Sequence, residues 1–137
     1  MVATDNRITP KFVTTLRLGE IFVFGSNLAG IHGAGAALYA AKFGSRQGEG
    51  FGRVGFTFAI PTKDREIKRL KLLDIQPFVA SFIQYARLRP DLTFLVTQIG
   101  CGLAGYTPEQ IAPLFKGAII LPNICLPEEF WEVLNRE

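Results

Sequence analysis

One stretch, residues 21–43, limits what this chain can fold into: Ile-Phe-Val-Phe-Gly-Ser-Asn-Leu-Ala-Gly-Ile-His-Gly-Ala-Gly-Ala-Ala-Leu-Tyr-Ala-Ala-Lys-Phe. It opens on a short apolar run, Ile21 to Phe24, of the kind that fills a strand buried on both faces. Gly25, Ser26 and Asn27 follow, then a loop carrying Gly30, Gly33 and Gly35. From Ala34 the chain is rich in alanine, with Ala37, Leu38 and Ala41 at helical spacing. The pattern predicts a helix that starts inside the glycines and ends near Phe43 and Gly44. A strand that passes through a glycine loop into a helix aims several free backbone N–H groups at one point, which suits a phosphate. The same glycines would serve a tight turn with close helix–strand packing. A second loop of this kind, further along, favours the phosphate.

Composition narrows the class. At 137 residues, with 48% apolar, the chain is expected to form one domain, 1–137, whose core needs no disulfide or metal. No apolar run approaches the roughly 18 residues that span a bilayer, so no membrane is expected. The first residues lack the apolar core of a signal peptide, and Cys101 and Cys125 make no disulfide framework. A reducing cytoplasm is the expected compartment. The net charge of +3 is unevenly placed: Lys63, Arg65, Lys68, Arg69 and Lys71 crowd one segment, and Glu128, Glu129, Glu132 and Glu137 make the end acidic. A basic segment attracts an anionic ligand or nucleic acid, although a solvated face is the commoner cause.

Further elements follow in order. Phe12, Val13 and Leu16 suggest a lead-in strand or turn. Residues 45–55 read as a mobile surface loop. Val54, Phe56, Phe58 and Ile60 alternate with smaller residues, predicting a strand that ends at Pro61-Thr62-Lys63-Asp64. Asp74 is the expected N-cap of a helix with Pro77 in its first turn, and Ile75, Phe78, Val79, Phe82, Ile83 and Ala86 on its buried face. Residues 92–99 predict a buried strand running into Gly100-Cys101-Gly102-Leu103-Ala104-Gly105-Tyr106. Thr107-Pro108-Glu109-Gln110 reads as an N-cap, a proline at the first helical position and a capping-box partner, before Ile111, Leu114 and Phe115. Residues 118–121 predict a short strand, and Pro127 opens a last helix with Phe130, Trp131, Val133 and Leu134. The alternation predicts an α/β fold, a mostly parallel or mixed sheet flanked by helices, with ligands at the carboxyl ends of the strands. Residues 25–35, 61–64 and 100–106 all fall there.

The glycine spacing, G-x-x-G-x-G at Gly30, Gly33 and Gly35, is not the dinucleotide fingerprint, and no G-K-[ST] marks a P-loop. One histidine with two distant cysteines has no zinc-like spacing, so no metal or cofactor is expected. His32, in the first loop, is equally suited to structural hydrogen bonding and to ligand contact. Cys101 would have a lowered pKa if it lay at a helix N-terminus, but a small residue in a tight loop is the preferred reading. Glu49 and Asp64 are the acids placed for general acid/base work.

Residues 25–37 and 100–106 together resemble the two phosphate loops of the macro domain superfamily, whose members bind ADP-ribose. The chain is similar over nearly its whole length to a bacterial and phage branch of it. The resemblance implies a three-layer α/β/α fold in which Asn27 contacts the distal ribose. Gly33, Ala34 and Gly35 would wrap the diphosphate, Gly102, Leu103, Ala104 and Gly105 would cradle its other side, and Tyr106 would pack near the ribose. With Gly25, Ser26, Gly30, Thr62, Lys63, Gly100 and Cys101, these are the expected ligand contacts. The superfamily's Gly-Asp pair before the first core strand appears here as Gly19-Glu20, and His32 replaces a glycine. The implied partner is a small ADP-ribose-like nucleotide or an ADP-ribosylated macromolecule. Either the domain is a non-catalytic reader, or it is an ADP-ribosyl hydrolase in which Asn27 positions the ribose and Asp64, Glu49 or His32 activates water. A nucleic-acid binder using residues 63–71 ranks third, since that segment has no interleaved aromatics. Nothing in the sequence sets the oligomeric state.

Overall fold

The computed structural model describes residues 5–136. A five-stranded mixed sheet has the order β2-β3-β1-β4-β5. Its strands are β1 (Glu20–Asn27), β2 (Gly52–Val54), β3 (Thr57–Lys63), β4 (Thr93–Val96) and β5 (Ile124–Cys125). The helices are α1 (Gly35–Tyr39), α2 (Leu72–Arg87), α3 (Pro108–Ile111) and α4 (Glu128–Asn135). Only the β2–β3 pair is antiparallel. Among the described residues no helix is long and apolar enough to cross a membrane.

The apolar run at residues 21–24 becomes the centre of the sheet, fully covered on both sides. Alternate residues of the strands face two cores, as the two-residue period of a strand requires. Ile21, Val23, Phe58, Ile60, Phe94 and Val96 pack with Ile75, Val79 and Phe82 of α2, with Phe115, and with Phe130 and Trp131 of α4. Phe22, Phe24, Ala59 and Leu95 face a smaller cluster with Val13, Ala37, Ala40 and Phe43.

Several expectations are corrected. Buried residues of the first helix are Ala37, Ala40 and Phe43, while Leu38 is 55% exposed, because the chain tightens into a 3-10 turn at Ala40–Phe43. The tighter turn moves the apolar stripe. No strand forms near Phe12, which is 77% exposed, although Val13 is buried. The expected strand at residues 54–60 is a hairpin: Val54 pairs with Thr57 across Gly55 and Phe56, and Gly55 at φ 60° takes the left-handed first turn position. β3 then extends through Pro61, which is tolerated because β2 pairing ends at Ala59. Asp74 lies inside the first turn of α2, whose N-cap is Lys71, so Pro77 falls in the second turn. The strand expected at 92–99 is only Thr93–Val96, since beyond it β1 supplies just one backbone partner, Val23 O to Thr97 N at 3.1 Å. Residues 118–121 are not a strand. The chain there finishes a 3-10 segment, Ala112–Ala118, and pairing resumes at β5.

The remaining helical expectations hold. Thr107 N donates to Gln110 Oε1 at 3.0 Å at the start of α3, and α4 buries Phe130, Trp131, Val133 and Leu134. A tie invisible in the sequence joins the chain's two ends. The Arg7 guanidinium donates to the carbonyls of Ala118, Ile119, Leu121 and Ile124, and lies 4.9 Å above the Trp131 ring. Trp131 Nε1 in turn donates to Arg7 O at 2.9 Å.

Candidate functional site

Because β3, β1 and β4 are parallel neighbours, their carboxyl ends share one edge of the sheet. The three glycine-rich or polar segments meet there around a cleft of about 540 Å³. Its walls are Gly25, Ser26 and Asn27 from β1, Thr62 and Lys63 from β3, the first loop from Gly33 to Ala37, and the second from Thr97 to Ala104. Leu103 reaches across. Its Cδ1 lies 3.4 Å from where a Cβ on Gly35 would stand, so the two loops face each other over the cleft.

The electrostatic character comes from the backbone. Among the described residues, the N–H groups of Gly33, Ala34, Gly35 and Ala36 on one wall make no hydrogen bond. The same is true of Gly100, Gly102, Leu103 and Ala104 opposite. Such rows of unpaired donors form an anion-binding concavity. Lys63 adds a cation, and among the described residues no carboxylate lines the cleft. At the floor, a Cβ on Gly25 would make ordinary contacts with Gly100 N and Thr62 Oγ1 at 3.5 and 3.6 Å, which places all three segments side by side.

The expected site residues divide sharply. Gly25, Ser26, Asn27, Gly33, Ala34, Gly35, Thr62, Lys63, Gly100, Cys101, Gly102, Leu103 and Ala104 line the cleft, while Gly30, His32, Glu49, Asp64, Gly105 and Tyr106 do not. Gly30 instead meets the 45–51 loop, where a Cβ would collide with Gly48 backbone, and a Cβ on Gly50 would collide with Asn27 O. Ser26 Oγ also donates to Gly50 O. Residues 45–51 are therefore packed against the site rather than loose around it.

The four residues considered for catalysis are all engaged or turned away. Asn27 donates Nδ2 to Ile31 O at 2.7 Å and accepts at Oδ1 from Ile31 N at 2.9 Å, so its amide braces the first loop. His32 is 2% exposed and stacks edge-on to Phe24, on the smaller-core side of the sheet. Its Nε2 has no partner, and burial lowers its pKa against a weaker opposing hydrogen bond to Glu49 backbone. Glu49 is exposed outside the cleft. Asp64 Oδ1 accepts from Glu66 N and Lys68 N at 2.8 and 3.0 Å, closing a turn. Tyr106, expected near a ribose, is buried, with its hydroxyl donating to Leu70 O and Arg69 stacked 4.2 Å over its ring. Cys101 is half-buried, and burial, with the charges of Glu109 and Glu129, pushes its thiol up to about 11. That is the reverse of an activated thiol. Glu20, standing where the resemblance puts the aspartate of a Gly-Asp pair, begins β1 at the opposite end from the cleft, and accepts from Arg17 N.

Sequence reasoning missed Ile31, Ala36, Ala37, Ile67 and the run Thr97 to Ile99 of the lining, and a second groove of about 1080 Å³ that shares Gly35, Ala36, Thr97 and Gln98 with the cleft. Phe12, Phe22 and Tyr39 are among its walls. Nothing in the sequence signalled it, because the exposure of Phe12 shows only in the structure. Fold and cleft define an α/β protein with a cleft, walled by unpaired backbone N–H groups, at the carboxyl ends of its parallel strands. No protein-family model, curated protein or solved structure matches the chain.

Proposed function

We propose that this protein is a macro-like domain, its sheet sandwiched between helix layers, that binds ADP-ribose or a related nucleotide diphosphate derivative. The carrying observation is the facing pair of unpaired N–H rows, Gly33 to Ala36 and Gly100 to Ala104, beside Lys63 in a cleft without carboxylates. A diphosphate presents oxygens on two sides and would satisfy both rows at once. The adjoining groove with its aromatic walls would take the nucleoside. A cytoplasmic setting fits two free cysteines.

Binding without chemistry is the favoured form, because none of Asn27, His32, Glu49 and Asp64 offers an unengaged group to the cleft. Such a reader would recognise ADP-ribosylated partners. A hydrolase would have to rely on the substrate's own phosphate to orient water, with positioning as its main contribution. Single-turnover assays on ester-, ether- and nucleic-acid-linked ADP-ribose separate the two. Release from any linkage makes the protein an enzyme.

Calorimetry with ADP-ribose, AMP and NAD tests the binding itself. Gly102→Glu is the informative variant: nothing lies within 4 Å of a Cβ there, and its φ is not left-handed, so the fold should stand. The added carboxylate would occupy the phosphate space and repel it. ADP-ribose binding by the wild type and none by folded Gly102→Glu is the expected outcome. Equal affinity in both would show that the loops are only structural.

A further inference from the structure

The protein's net charge is concentrated beside the cleft. Five of the fifteen Lys and Arg residues, and two of the twelve Asp and Glu, lie in residues 63–71; the other ten of each sign cancel. The whole excess of +3 therefore sits on nine residues, one of which, Lys63, lines the cleft together with Ile67.

This segment is built, not loose. It folds back as a hairpin with Lys63 opposite Arg69, Asp64 N donating to Lys68 O at 2.7 Å and Leu70 N to Thr62 O at 2.9 Å. Asp64 spends its carboxylate on the Glu66 and Lys68 amides inside the turn. That bracing holds Ile67 at φ 64°, a left-handed conformation costly for a β-branched residue and found mostly where function over-determines it. The second acid, Glu66, lies 3.9 Å from Lys68 with both side chains about three-quarters exposed, a pairing of little strength. Among the described residues Arg65, Arg69 and Lys71 have no carboxylate partner. Arg69 leans over Tyr106 toward Gly105, so the cations continue from β3 to the second glycine loop. Tyr106 is buried beneath Arg69 and holds that guanidinium in place rather than offering a ring face of its own, so the hairpin contributes charge and not stacking.

We propose that the group held in the cleft is presented on a single-stranded nucleic acid, whose backbone phosphates run along the 63–71 hairpin. This rests on the reading of the cleft as a diphosphate site. Fixed cations beside a phosphate-sized nest fit a ligand whose negative charge continues beyond the cleft, and Ile67 alone among the exposed hairpin side chains is apolar, leaving little to seat a peptide.

The test compares free ADP-ribose, a 12-nucleotide single-stranded DNA carrying a terminal ADP-ribosyl group, and a glutamate-linked ADP-ribosyl peptide, measured by calorimetry and anisotropy. Wild type should bind the DNA-linked group at least tenfold more tightly than free ADP-ribose at low salt. Three phosphate contacts give a log–log salt slope of about −2 for the DNA-linked probe. The triple variant Arg65→Gln, Lys68→Gln, Lys71→Gln should lose that gain and flatten the slope, yet hold free ADP-ribose within twofold, since none of the three lines the cleft. DNA-linked and free ligand binding equally, or the peptide gaining as much as the DNA, overturns the nucleic-acid proposal while leaving the cleft reading intact. No binding of free ADP-ribose by wild type overturns the cleft reading itself, and the proposal with it.

Discussion

Asn27 stands where the central strand gives way to the first loop, and its amide is used twice by Ile31. At about 1 kcal/mol per hydrogen bond, Asn27→Ala should cost about 2 kcal/mol in urea unfolding. Asn27→Asp, which keeps the acceptor but sets a carboxylate oxygen against Ile31 O at a buried position, should cost at least as much; an alanine variant as stable as wild type would refute the bracing role. His32 makes a different prediction. Burial lowers its folded pKa below 6.5, so the unfolded chain takes up a proton that the folded chain refuses. Stability should therefore fall as pH drops below about 6.5, by up to about 1.4 kcal/mol per pH unit, until the folded pKa is reached. Unfolding of wild type and His32→Gln at pH 7.5 and 5.5 isolates that contribution. An identical pH dependence in both would remove His32 as its source.

At the scale of elements, α2 carries a fault that can be measured. Pro77 lies in its second turn and is exposed, so it forfeits a backbone hydrogen bond without packing in return. Pro77→Ala should stabilise the protein by about 1–3 kcal/mol, read as a higher melting temperature. An unchanged or lower melting temperature would mean that the helix depends on a bend there. The glycines of the site loops differ in the same testable way. Gly100 has φ 77°, and a Cβ there would press on Ile111 Cδ1 at 2.9 Å, so Gly100→Ala should destabilise the junction of loop and α3. Gly33→Ala, whose Cβ would meet only Ile31 Cγ2 at an ordinary 3.9 Å and whose φ is not left-handed, should not. Urea unfolding of the two variants side by side decides this.

Across the whole molecule, the two faces of the sheet are unequal. The larger core joins α2, α3 and α4 to four strands, while the smaller rests on α1 and its 3-10 continuation. Native-state hydrogen exchange should find β1, β3 and β4 opening only globally, with the Gly35–Phe43 region opening at lower free energy. Equal protection on both faces would contradict this division. The face with the smaller core carries one wall of the cleft.

Much of the architecture was legible because it is written locally. Four adjacent apolar residues at 21–24 can only be buried on both sides. The 3.6-residue period of Ile75, Val79, Phe82 and Ile83 sets one face of α2, and parallel β–α alternation sends the glycine loops to the carboxyl ends of the strands. Where the period was broken by a hairpin or a 3-10 turn, as at residues 54–60 and 40–43, local pattern misled. What each loop residue does was decided only by contacts between segments far apart in the chain. Gly30 and Gly33 look alike in sequence, yet Gly30 presses on Gly48 while Gly33 faces the cleft. His32 turns to Phe24 on the other side of the sheet, and Tyr106 lies beneath an arginine from the β3 hairpin. Sequence set where the two glycine loops would meet, because strand direction and loop position follow from local pattern. Tertiary packing chose which donors stayed free, because a hydrogen bond is spent or spared by whatever the fold brings beside it.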